Sequence, residues 1–152
     1  TDIYEPVSYE TYGENPYFEN GLNAQLPVEG TIARGVAIYD YPDSEEGYQM
    51  AKDSLMAPFK ATEASLEKGK ITYNIYCSAC HGDKGDGMGT LVKNEKFLGV
   101  PNYKDREITE GSIYHVIMYG RNLMGSHAGQ LTEAERWNVV QYVEHLRADL
   151  LK

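Results

Sequence analysis

The sequence predicts an all-α domain of three to four helices, carried behind a long and mostly irregular N-terminal extension. Three observations predict it. After residue 61, apolar and small residues recur at helical spacing in three separate stretches. Thr62 precedes the first of these stretches as an N-cap, and Thr132 with Glu135 has capping-box spacing ahead of the last. The first sixty residues instead set Tyr4, Tyr9, Tyr12, Tyr17, Tyr39, Tyr41 and Tyr48 among prolines, glycines and acids with little period, which argues against a second core.

A chain of 152 residues suits a small domain with an extension as well as it suits one ordinary domain. No run of eighteen apolar residues occurs, which excludes a membrane-spanning helix. The formal net charge of -9 disfavours nucleic acid or an anionic bilayer, whose field would repel it, and favours a basic or neutral protein partner. The chain opens at Thr1 with neither an initiator Met nor a basic-then-apolar leader, as expected of a processed product. The expected division is an arm over residues 1–61 and a compact domain over 62–152. So many aromatics are typical of contact surfaces rather than of disorder, so the arm is expected to lie along other subunits.

In chain order, Met50 and Met56 fall in a helix of the arm, where they read as its apolar face. Leu66, Gly69, Tyr73 and Cys77 then recur at helical spacing, so a helix begins near Glu63 and delivers Cys77 at its end. Glycine inside a helix costs about 1 kcal/mol relative to alanine, so Gly69 predicts close approach of another helix. The partner expected is the last helix, Thr132 to about Leu150, through Trp137, Val140, Tyr142, Val143 and Leu146. A middle helix runs from about Gly111 to Tyr119. The glycine-rich run Gly82–Gly89 lacks the Lys-Ser/Thr ending of a phosphate loop and the terminal Glu of a calcium loop, and reads as tight turns.

The chemistry is concentrated in Cys77-Ser78-Ala79-Cys80-His81. Two cysteines two residues apart and followed at once by histidine form the attachment signature of a c-type haem. A zinc ribbon needs a second ligand pair, and the chain has no further cysteine; a thioredoxin-like pair sits at a helix start, not at a helix end. One helical turn holds both thiols on one face, where they can reach two vinyl groups on one porphyrin edge. His81 is then carried beneath the ring to bind iron. One covalent haem c is expected, and attachment takes place outside the cytoplasmic membrane.

The second axial ligand is a methionine or a histidine. Met88 lies too soon after His81 to pass the ring edge, and Met118 falls in the periodic stretch with Ile113, Val116 and Ile117, which reads as core. Met124 lies in the glycine-bounded loop Gly120–His127 and is the favoured ligand; His127 can reach the same place. His115 and His145 lie on helices and read as surface or partly packed residues.

Gly69, Tyr73, Cys77, Cys80, His81, the glycine-rich turn, Met124, and Glu135-Arg136-Trp137 running to Tyr142 and Leu146 together resemble the small monohaem cytochromes c, over residues 62–152. That resemblance implies that the Pro101 carbonyl holds the second nitrogen of His81, and that Tyr103, Arg121 and Trp137 bind the haem propionates. The stretch Leu26–Gly35 ahead of such a domain is similar to the monohaem cytochrome c subunit of the bacterial alternative complex III. The resemblance implies a periplasmic position at the inner membrane, peripheral or held by a lipidated N-terminal cysteine, although this sequence starts at Thr1 without one. It also implies a quinol-oxidising complex, with a multihaem cytochrome and a terminal oxidase or soluble acceptor as partners. Two other readings compete: a freely diffusing periplasmic carrier, and the haem domain of a peroxidase or nitrite reductase. The latter needs an open iron position, which ligation from both faces removes.

Overall fold

The computed structural model describes residues 7–152, so Tyr4 lies outside the described residues. The chain divides into two compact units after Ile38. In the first unit, backbone and asparagine hydrogen bonds close residues 10–23 into a loop around the isolated antiparallel bridge Glu14–Leu22. The second unit, Tyr39–Lys152, is helical apart from one two-stranded ribbon. No helix among the described residues is long and apolar enough to cross a membrane.

Helix α1 (Glu45–Ser54) starts at Ser44, whose side chain accepts from the Gly47 N–H. Helices α2 (Glu63–Tyr76), α5 (Glu110–Tyr119) and α6 (Glu133–Leu150) each open with a reciprocal capping box, at Thr62/Ser65, Thr109/Ser112 and Thr132/Glu135. Each box satisfies two amide donors that the first helical turn leaves free. Between α2 and α5 lie the short α3 (Ser78–His81) and α4 (Thr90–Lys93) and a 3-10 turn, Tyr103–Asp105. Strands β1 (Gly120–Arg121) and β2 (Met124–Gly125) pair antiparallel, with Arg121 opposite Met124. Asn122 occupies the left-handed region at φ 56°, which the tight turn between them requires.

Helices α2 and α6 form the main contact. A Cβ on Gly69 would meet the Asn138 carbonyl oxygen and the Tyr142 side chain, so only glycine lets the two backbones approach this closely. Around that crossing Tyr73, Ile113, Tyr114, Ile117, Trp137, Val139, Val140, Val143 and Leu146 build one apolar core. Arg136 is buried within it, and its guanidinium donates to the Tyr114 hydroxyl and to the carbonyls of Leu131 and Ala128. A buried cation with its donors used this way rigidifies the turn before α6.

The structure moves the expected boundary from residue 61 to residue 38. Residues 39–61 are part of the second unit, because α1 packs on α5 where a Cβ on Gly111 would meet the Ala51 carbonyl. Thr109 Oγ1 donates to the Lys52 carbonyl, the Ala57 N–H to Glu110, and Gln141 Nε2 to the Phe59 carbonyl. Met50 and Met56 are exposed; the buried face of α1 is Gly47 and Ala51, and Met56 lies beyond the helix. His115, expected near the surface, is buried, and its Nδ1 is hydrogen-bonded to the Tyr39 hydroxyl at 3.0 Å.

Candidate functional site

Cys77 is the C-cap of α2, and its carbonyl accepts from the amides of Cys80 and His81, so the chain turns directly into α3. Both thiols are free and half-buried within one turn of each other. Burial, with the neighbouring Cys80 as the smaller cause, pushes the Cys77 thiol up to about 12, which favours its protonated form.

The glycine-rich run folds back under this turn. Gly89 has no room for a Cβ against the backbone of Ala79 and Cys80, and one on Gly85 would strike the Tyr103 ring. The Gly87 amide donates to the His81 carbonyl at 2.8 Å, and a Cβ on Gly87 would lie 3.1 Å from the Pro101 carbonyl oxygen. Tyr73, from the α2–α6 core, donates its hydroxyl proton to the Gly82 carbonyl at 2.8 Å and so ties the run to the core. His81, Gly87, Pro101 and Tyr103 are thereby gathered at one place.

The His81 imidazole stacks on Tyr103, with centroids 5.2 Å apart and planes at 25°. Its Nδ1 is buried and has no hydrogen-bond partner. The expected hydrogen bond from this nitrogen to the Pro101 carbonyl is therefore not formed in this structure. Burial, and then the charge of His127, hold the His81 pKa below the usual histidine range, which favours the neutral ring that can ligate a metal.

The remaining expected residues are placed less uniformly. Met124 stands on β2, half-buried, in the wall of a cleft of about 410 Å³ shared with Asp43, Tyr48, His115 and Arg121. His127, on the same loop, is tied by its amide to the Ile117 carbonyl and by Nδ1–H to the Gly125 carbonyl. Arg121 contacts α1: its guanidinium lies 4.1 Å over the Tyr48 ring and 3.1 Å from Glu45 Oε2. Tyr103 is buried and stacked on His81. Trp137 is buried and stacked on Tyr114 at 4.2 Å, so its first role is in the core. Met118 is half-buried against the core. Tyr73 and Gly87 were the positioning residues whose part in the site the sequence did not announce; only their spacing to Cys77 and His81 could have pointed to them.

These residues fit a c-type haem. Two free thiols lie within one turn, the next residue is a neutral imidazole with an orphaned buried nitrogen, and the turn beneath is cut from glycines that leave no space for side chains. No curated protein matches the chain. Among solved structures, a chain of the reducing HAO-like protein complex of Kuenenia stuttgartiensis shares its fold, with a TM-score of 0.53 at 24% identity over 61% of this chain. The match takes in 48% of that chain, so this chain spans about half the length of that relative. The family model described as cytochrome c oxidase, cbb3-type, subunit III matches residues 64–143, more than half of the sequence and all of the attachment turn. The chain therefore belongs to this family of cytochrome c domains, which implies a haem c and electron transfer through it.

Proposed function

We propose that this chain is the single-haem electron-transfer subunit of a quinol-oxidising respiratory complex of the alternative complex III kind, and performs no substrate chemistry of its own. Cys77 and Cys80 would hold the porphyrin covalently, and His81 and Met124 would ligate its iron. When bound, that group supplies a one-electron couple. The chain's own contribution is to keep that site rigid and dry. Stacking on Tyr103 and the backbone bond through Gly87 orient His81, and its burial excludes water from the imidazole. With His81 and Met124 both on the iron, no position would be left open for a substrate, which argues against the peroxidase or nitrite reductase reading.

The observation that carries the subunit reading is the first unit: a closed loop at residues 10–23 followed by Leu26–Gly35, with its large apolar side chains exposed. A freely diffusing carrier has no use for such a surface. The HAO-like neighbour is itself a chain of a protein complex, which is consistent with a partnered role. We place the protein on the periplasmic side of a bacterial inner membrane, peripheral or lipid-anchored, passing electrons from a multihaem cytochrome towards a terminal oxidase or soluble acceptor. The family description favours one second reading, a haem subunit of a cbb3-type oxidase.

The test is the mass of the native chain, with any N-terminal modification, and the identity of the subunits that purify with it from detergent-solubilised membranes. Quinol-oxidising activity with a multihaem partner is expected. A copper-containing oxidase core in its place selects the second reading, and a detergent-independent monomer selects the diffusing carrier.

A further inference from the structure

The loop of residues 10–23 is more ordered than its composition requires. The Asn15 amide donates to the Gly21 carbonyl at 2.8 Å, the Asn23 amide to the Gly13 carbonyl at 3.0 Å, and the Gly13 amide to the Glu10 carbonyl at 3.0 Å. Asn15 is buried, and its Nδ2 donates to Asn23 Oδ1 at 2.9 Å while its Oδ1 accepts from the Tyr17 amide. The Asn23 side chain closes the ring by donating to the Glu10 carbonyl. This polar network occupies the inside of the loop, and the aromatics are left outside: Tyr12 is 89% exposed, Tyr17 82% and Phe18 42%. Tyr9 packs edge-on against Tyr17 with centroids 6.3 Å apart, which limits the motion of both rings. Large aromatics held in place lose little rotamer freedom on binding, which is why they serve as contact anchors.

The charge of the loop selects the partner. Between Tyr9 and Asn23 the chain carries Glu10, Glu14 and Glu19 and no lysine or arginine, whereas residues 60–106, which bear the attachment motif, hold more basic than acidic residues. An anionic bilayer would repel the loop, and a second copy paired loop to loop would present the same three carboxylates. A cationic protein surface would take up both the aromatics and the charge.

We propose that residues 9–23 are a preformed docking loop for a lysine- and arginine-rich protein surface, with Tyr12, Tyr17 and Phe18 as anchors and Glu10, Glu14 and Glu19 as counter-charges. The proposal rests on the subunit reading above and adds the chemistry of the partner. The experiment places photoreactive benzoylphenylalanine at position 12 or 17 of the full chain in its native cells and identifies the crosslinked peptides by mass spectrometry. Crosslinks are expected to one protein, at peptides flanked by Lys or Arg, with a yield that falls at least about fivefold in the Glu10→Gln/Glu14→Gln/Glu19→Gln variant. Asn15→Ala keeps every charge and aromatic but opens the network, and the yield is expected to fall several-fold as well. Crosslinks to lipid, to another copy of this chain or to a cation-poor surface overturn the proposal. So does a yield unchanged in the triple variant or in Asn15→Ala. The purification of the full chain tests the subunit reading separately: if it comes out as a detergent-independent monomer, that reading fails. If it co-purifies with its complex while the crosslinks go astray, or if a chain beginning at Tyr39 still enters that complex, only the docking proposal is wrong.

Discussion

The proposed roles of Cys77, Cys80 and Met124 are separable by substitution, because attachment and ligation leave different signatures. Met124→Ala is expected to abolish the weak far-red absorption band of thioether-bound ferric iron while the porphyrin stays attached; survival of the band would return the assignment to Met88 or Met118. Replacing Cys77 and Cys80 together is expected to release haem to acid-acetone extraction. Away from the site, Glu144 on α6 is pushed up to about 7, chiefly by burial and then by the facing Glu110 carboxylate, against a smaller opposite effect of Arg147. The folded state therefore keeps a proton that the unfolded chain releases near its ordinary carboxylate pKa. Stability from this group is highest at acid pH and is lost as pH rises through the interval between those two values. Glu144→Gln should flatten the pH dependence of Tm across that interval and raise Tm at pH 8; an unchanged pH profile would show that Glu144 titrates normally.

At the level of elements, the helix crossing at Gly69 is the most exacting contact. Gly69→Ala gains helix propensity but forces a methyl against the Asn138 carbonyl, and overpacking of this kind costs about 1–3 kcal/mol. Denaturant unfolding of the holoprotein is expected to show the loss; a neutral or stabilising result would mean that α2 and α6 can separate. The need for a close helix approach was legible in the sequence, because a glycine inside a periodic helix weakens that helix unless a neighbouring backbone needs the space. Helix α1 was legible as a helix but not in its placement. Its buried face is Gly47 and Ala51, and two small residues carry almost no hydrophobic period to say which way a helix faces. The β1/β2 ribbon was read only as a loop: two residues a side are too short for any alternation to show.

For the molecule as a whole, the modest core of the second unit implies that buried porphyrin surface contributes much of the apolar area. The haem-free protein is expected to be poorly folded, and a cooperative thermal transition close to that of the holoprotein would contradict this. The division after Ile38 sharpens a second expectation. A chain beginning at Tyr39 should keep the visible spectrum, whereas one beginning at Thr62 should lose several degrees of Tm, because it discards α1 and the bonds of Lys52, Ala57 and Phe59 to α5 and α6. Equal Tm values for the two chains would show that α1 is an ornament of the haem unit.

Sequence alone determined the attachment motif, the three long helices after residue 62, the glycine crossing and the likeness to monohaem cytochromes c. All of these are written in residues at most a few positions apart, through thiol spacing, capping pairs and helical period. Tertiary structure alone decided that residues 39–61 belong to the second unit, that Tyr103 backs His81, that Arg121 turns to Glu45, and that His115 is buried against Tyr39. The pairs Lys52–Thr109, Tyr39–His115 and Glu45–Arg121 are separated by 57, 76 and 76 residues. Which partner a side chain meets over such distances depends on how the helices pack, and no local pattern in the chain records it.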